Sequence, residues 1–234
     1  MTDELNFEAY LSISKEKYVI YLLDKKNLKN IYKKQLNIAN DTDLIGNNLL
    51  SNFLDQNIFK LEKLIGNFLR NIVVILENNQ ILNFSIGIKK KNYGDKINKN
   101  YLESSLAELK DLFKENYQDN KIIHFIINRY LIDGDNYTAF DQEIEADHMC
   151  VEVNFISAPN ILIKEISNIL EKYQIKIDCL FDKKYIKNVF EGQLLDLSIS
   201  AFKLQSGYNQ NEIALVPKSG KKIGFFEKFF QLFS

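Results

Sequence analysis

Hydrophobic and polar positions alternate along the first strand-like segment, where Phe7, Ala9, Leu11 and Ile13 share one face. After Lys15-Glu16-Lys17 comes a solid apolar and β-branched run, Tyr18 to Leu23. Asp24 to Asn27 reads as a turn into a short strand, Tyr32 to Leu36, so the chain opens with a meander. A polar stretch, Asn40 to Asn48, follows. Ile58, Leu61, Leu64, Ile65, Phe68 and Leu69 are spaced as the buried stripe of a helix. Ile72 to Leu76 is a compact strand, and Asn78-Asn79 predicts a hairpin turn into Ile81 to Ile88.

Lys89 to Asp95 reads as a connector. A helix is predicted from about Tyr101 to Asn116, with Leu102, Leu106, Leu109 and Phe113 as its stripe and Asn100 with Glu103 as a capping box. Ile122 to Ile132 is a strand ended by Asp133-Gly134-Asp135, followed by an acidic loop, Asn136 to Asp147. Met149, Val151, Val153 and Phe155 alternate as a half-exposed strand. Pro159 suits a helix start. Ile163, Ile166, Ile169, Leu170 and Tyr173 mark that helix, and Ile175 to Phe181 is the next strand. One or two helices follow, the last over about Leu194 to Leu204.

The class is therefore α/β or α+β. The 30 basic and 31 acidic residues leave a net charge of -1, which speaks against a general polyanion binder. Tyr and Phe lie at core spacing, so no nucleic-acid stacking platform is predicted. The two cysteines, Cys150 and Cys179, read as reduced thiols. No apolar run reaches the ~20 residues that a membrane span needs, and the N-terminus lacks a secretory pattern, so a cytoplasmic setting is expected.

The C-terminal end carries the sharpest signal. On a helical wheel, Ile223, Phe225, Phe226, Phe229, Phe230, Leu232 and Phe233 fall on one half, and Gly224, Glu227, Lys228, Gln231 and Ser234 on the other. Lys218, Lys221 and Lys222 stand ahead of it. Such a segment suits a membrane interface. Each buried Phe gains ~1.5–3 kcal/mol and each Lys ~1 kcal/mol, against ~1–2 kcal/mol per residue for ordering the backbone, so reversible attachment reinforced by self-association is expected. The alternative is a terminal helix docked on its own domain or on a partner.

The stretch IIHFIINRYLIDG (122–134), the acidic loop after it, the strand DHMCVEVNF (147–155) and the helix-strand run IKEISNILEKYQIKIDCLF (163–181) resemble the FtsA family of bacterial cell-division proteins. The basic, Phe-rich end resembles that family's membrane-targeting sequence. The resemblance implies an actin-like subdomain 1A half-lobe with an inserted SHS2-like (1C-like) subdomain and a C-terminal amphipathic helix. The implied division is 1–91 for the first part of the lobe, 92–157 for the inserted unit and 158–206 for the second part. Residues 207–222 are then a linker and 223–234 the membrane-targeting helix.

The implied role is a non-enzymatic, peripheral adaptor on the cytoplasmic face of the inner membrane, at the division septum. Its expected partners are the lipid surface, FtsZ filaments or later septum proteins, and a second copy of itself. Nothing in the sequence corresponds to the family's second lobe, subdomains 2A and 2B, expected after about Phe190; 2B carries the family's FtsZ contact. The segment matching the first phosphate loop is YLSISKEK (10–17). Ser12 stands where the family has the Asp that organises a metal, and Ser14 where it has a Gly that lets backbone reach phosphate. The second, Gly-rich phosphate loop is absent from the sequence, so no cofactor and no ATP hydrolysis are expected. Two alternatives stand beside this: an actin-like cytoplasmic scaffold of a pilus or secretion assembly, and a small nucleotide-using enzyme.

Other constellations have blander readings. Asp147-His148-x-Cys150 puts His148 and Cys150 on one strand face, but no companion ligands complete a zinc site. His124 sits in an apolar strand and reads as structural. Asp141, Glu143, Glu145 and Asp147 read as a solvated loop, and Lys89 to Lys91 as a charged strand end.

Overall fold

A computed structural model describes residues 6–38, 48–137 and 143–213. In chain order the elements are β1 (Phe7–Ile13), β2 (Lys17–Asp24), β3 (Lys29–Asn37), α1 (Leu49–Ile65), β4 (Asn71–Leu76), β5 (Leu82–Lys91), β6 (Lys96–Ile97), α2 (Lys99–Asn116) and β7 (Asn120–Ile132). Then come β8 (Asp135–Tyr137), β9 (Ile144–Glu145), β10 (His148–Pro159), α3 (Asn160–Glu171), β11 (Lys176–Asp182), α4 (Lys183–Val189) and α5 (Leu197–Gln205). The described residues form two units. One holds those up to Ile81 and again Asn160–Tyr208; the other holds those between Leu82 and Pro159 and residues 209–213.

The first unit is a five-stranded sheet in the order β11-β4-β1-β2-β3. β1, β2 and β3 pair antiparallel, while β4 runs parallel to both β1 and β11. The continuous apolar run of β4, buried from Ile72 to Leu76, is what a parallel strand covered on both faces requires. Tyr32 and Lys33 are successive on β3 and so face opposite ways. The Tyr32 hydroxyl donates to Asn57 of α1, and Lys33 pairs with Asp196 at the start of α5. Helices therefore cover both faces of the sheet. The class is mixed α and β as the pattern predicts, and the order of meander, helix, strand, inserted unit, helix and strand is the one expected from the sequence.

The second unit is an antiparallel sheet, β5-β10-β7-β8, with α2 on one face. Leu102, Leu106, Leu109 and Phe113 of α2 meet Phe125, Ile127, Met149, Val151, Val153 and Phe155 of the sheet. The rings of Phe125 and Phe155 stack at 4.6 Å and those of Phe113 and Phe155 pack at 5.1 Å. Asp133 and Gly134 both adopt positive φ, 47° and 98°, which closes the tight β7–β8 turn.

Several expectations need correction. Asn78-Asn79 is not a hairpin turn: β4 has β1 and β11 on its two edges, so β5 pairs with β10 instead. The unit boundary accordingly lies at Leu82 rather than after Lys91. Helix α1 stops at Gly66, in the left-handed region at φ 71°, with its N–H on Glu62 O. Phe68 therefore leaves the stripe and is 76% exposed. Leu64 is exposed as well. The cap of α2 is Asn98, whose side chain accepts from Tyr101 N at 3.0 Å, not Asn100. Leu162 joins Ile166 and Leu170 as the buried face of α3, whereas Ile163 and Ile169 are half-buried. Leu194 is fully exposed and precedes α5 rather than opening it.

The segment read as a linker from residue 207 is anchored at its start. Ile213 is buried in the core of the second unit, and its N–H donates to Phe125 O at 2.8 Å. Ile127 N–H donates to Asn211 O at 2.9 Å. The residues expected to meet a membrane, Lys221, Lys222, Ile223, Phe225, Phe226, Phe229, Phe230, Leu232 and Phe233, lie outside the described residues.

Candidate functional site

In sheets with parallel strands, ligand sites form outside the carboxyl ends of those strands. In the first unit the register places Ile13, Leu76 and Asp182 side by side, so Ser14, Glu77 and Lys183 come next on β1, β4 and β11. Glu77 N–H donates to Ile13 O at 2.9 Å, which holds the β1 and β4 ends together.

Ser14 closes the β1–β2 turn on itself. Its N–H donates to Lys17 O at 3.1 Å, its hydroxyl donates to the same carbonyl at 2.9 Å, and Lys17 N–H donates to Ser14 Oγ at 3.3 Å. A phosphate cradle needs backbone N–H groups turned outward; here those of Ser14 and Lys17 serve the turn. Ser12 lies inside the sheet, opposite Val19 on one side and Ile75 on the other, and is 2% exposed. Its hydroxyl is not a metal-organising carboxylate, and it does not reach the strand end.

The remaining polar groups of this edge bind one another. Lys183 is 4% exposed and its ammonium pairs with Glu77 Oε2. Lysine as the first residue of a helix is opposed by the helix dipole, so Glu77 is what stabilises it there. Burial works to raise the Glu77 carboxyl pKa, but the Lys183 hydrogen bond and charge, with Lys187 and Lys184 nearby, outweigh it and hold the group below its ordinary value. Asp182, also buried, caps α4 by accepting from Tyr185 N at 3.0 Å. Both carboxylates that reach this edge are thus engaged by the protein itself.

The other sequence candidates fall as follows. His148 and Cys150 share a face, but the acid beside His148 is Asp133, at 3.8 Å. Asp133 also accepts from the backbone N–H of Asp147 and His148, which fixes the start of β10. Among the described residues, no group of three or more His, Cys, Asp and Glu side chains is placed to hold a metal. Glu143 pairs with Lys96 at 3.6 Å, and Glu145 belongs to β9, so the acidic loop is partly strand; Asp141 lies outside the described residues. Lys89 to Lys91 end β5, and Lys90 pairs with Glu108 of α2 at 2.6 Å. His124 is buried, and its Nδ1 lies 2.6 Å from Glu212 Oε1.

The sequence did not single out Glu77, Lys183 or Glu212. A glutamate directly after a buried strand and a lysine opening a helix were the only traces of the first pair.

No protein-family model matches the chain, and no curated protein sequence does. Among solved structures the chain is similar to the PilM–PilN type IV pilus biogenesis complex, at 12% identity and a TM-score of 0.47, over 78% of this chain and 49% of that one. It is similar to the cytoplasmic domain of EpsL, an inner-membrane component of the type II secretion system of Vibrio cholerae, at 10% identity and 0.38, over 75% and 57%. A Bacteroides thetaiotaomicron protein with an actin-like ATPase fold and unknown function follows at 11% and 0.32, over 81% and 58%. The chain thus spans between 49% and 58% of the length of these proteins. None of these descriptions names cell division.

Proposed function

We propose that this chain is a non-catalytic scaffold with an actin-like half-lobe and an inserted SHS2-like (1C-like) unit, which docks other proteins at the cytoplasmic face of a membrane. The observation that carries the proposal is the carboxyl edge of β1, β4 and β11, where the Ser14 turn and the Glu77–Lys183 pair use the groups a nucleotide would need. Attachment through the 223–234 segment is part of the proposal and rests on its sequence pattern.

A pilus or secretion assembly is the setting to test first, because it asks only for an actin-like body that binds proteins. No residue described above is specific to FtsZ or to division, and the FtsA-like adaptor role rests on the sequence resemblance between residues 122 and 181. A fluorescent fusion separates the two settings: polar or dispersed foci support the scaffold, and a mid-cell band supports the division adaptor.

Phosphate release from magnesium-ATP tests the absence of catalysis. Turnover at the buffer rate is expected. Turnover that falls on Lys183→Ala, in a chain shown to remain folded, would overturn the proposal.

A further inference from the structure

The hairpin of β2 and β3 carries five lysines, Lys25, Lys26, Lys29, Lys33 and Lys34, within ten residues and without an acid among them. In a chain of net charge -1 that is a local concentration of positive charge. Lys33 is paired with Asp196. Among the described residues, Lys25, Lys26, Lys29 and Lys34 form no ion pair.

The tip is built rather than loose. Asp24 Oδ1 accepts from Lys26 N at 2.9 Å and from Asn27 N at 3.2 Å, and its Oδ2 accepts from Asn27 Nδ2 at 2.6 Å. Leu28 follows at φ 50°, a left-handed position that a Leu rarely occupies. It is 41% exposed. Ile31, at the β-bulge where the register shifts between Leu22 and Leu23, is exposed to the same extent. Among the described residues β3 is an edge strand, paired with β2 alone.

Lysines on an edge strand commonly guard against unwanted strand pairing. That accounts for Lys33 and Lys34. It does not account for Lys25, Lys26 and an exposed, strained Leu28, which lie in the turn where no strand can add. A turn that exposes Leu28 between Lys26 and Lys29, with Lys25 beside them, matches a surface that is anionic outside and apolar beneath.

We propose that the β2–β3 hairpin docks on an anionic bilayer, with Leu28 entering the headgroup region and Lys25, Lys26 and Lys29 contacting the lipid anions. This contact does not depend on the 223–234 segment.

The chain has no tryptophan, so Leu28→Trp places a single indole in this turn of the full-length protein. Its emission is read with phosphatidylcholine vesicles and with vesicles containing phosphatidylserine. A blue shift on the phosphatidylserine vesicles alone, reversed by salt, is expected. Lys26→Gln with Lys29→Gln should weaken partitioning about 25-fold, or about fivefold per lysine. A shift that persists in Phe226→Glu with Phe230→Glu supports the hairpin contact even if the terminal segment has no role. Unchanged emission on vesicles that do sediment the protein overturns the hairpin contact and leaves the terminal segment as the anchor. Unchanged partitioning of the lysine variant also overturns it, as does a shift produced by polyglutamate but not by the vesicles.

Discussion

His124 and Glu212 meet at 2.6 Å between Nδ1 and Oε1, with the imidazole buried in the sheet of the second unit. They lie 88 positions apart in the chain. The contact joins the chain's return after α5 to β7, and Ile213 beside it fills a place in the aromatic core.

That arrangement sets one expectation. Ile213→Ala should destabilise the second unit by about 2–4 kcal/mol, because it removes a buried branched side chain. Glu212→Ala should cost about 1.5–3 kcal/mol, the value of a hydrogen bond to a charged group. Urea unfolding followed by the near-ultraviolet signal of the aromatic cluster measures both. Truncation after Tyr208 should behave like the combined loss, and truncation after Ala214 should not.

A second expectation concerns Glu77 and Lys183. Lys183→Ala removes a charged hydrogen bond from a half-buried Glu77 and should cost about 1.5–3 kcal/mol. Lys183→Met combined with Glu77→Leu should recover much of that loss. The pH dependence has a defined sign. The folded-state pKa of Glu77 is lowered, so its contribution is fully present above its ordinary value of 4.5 and is lost as pH falls below that into the acid range. Thermal midpoints of wild type and Lys183→Ala should therefore converge at low pH, while the double variant loses less than wild type.

The α2 cap gives a sharper comparison. Asn98→Ala should cost about 1 kcal/mol and Asn100→Ala only a few tenths, because Asn98 accepts from Tyr101 N. Equal effects in denaturant melts would return the cap to Asn100.

The strands were legible because their signal is local: alternation in β1 and β10, and a continuous apolar run in β4. The element order followed from those segments. The partner of β5 was not legible. Asn78-Asn79 is a good turn sequence, yet pairing is decided by which edges are free, and both edges of β4 are taken. Ile213 was missed because a single apolar residue in a polar stretch has no period. Glu77 and Lys183 were missed because they lie 106 positions apart and neither breaks a local rule strongly. Ser12 and Ser14 were legible as departures from a phosphate loop. Their hydrogen bonds, and the closing of the turn onto Lys17, required coordinates.

A contrasting surface pair calibrates these numbers. Arg129 and Glu152 meet at 2.8 Å on the exposed face of the second sheet, where water screens them. The Arg129 and Asn128 hydrogen bonds lower the Glu152 carboxyl pKa. Arg129→Ala is nevertheless expected to shift stability by no more than about 1 kcal/mol, below the Lys183 change.

The most direct measurement is an equilibrium titration of the folded chain with a fluorescent ATP analogue in the presence of magnesium. A protein whose strand edge is occupied by Glu77, Lys183 and the closed Ser14 turn should give no saturable signal, with Lys183→Ala also silent. Saturable binding displaced by unlabelled ATP would contradict the scaffold account and put nucleotide chemistry back at that edge.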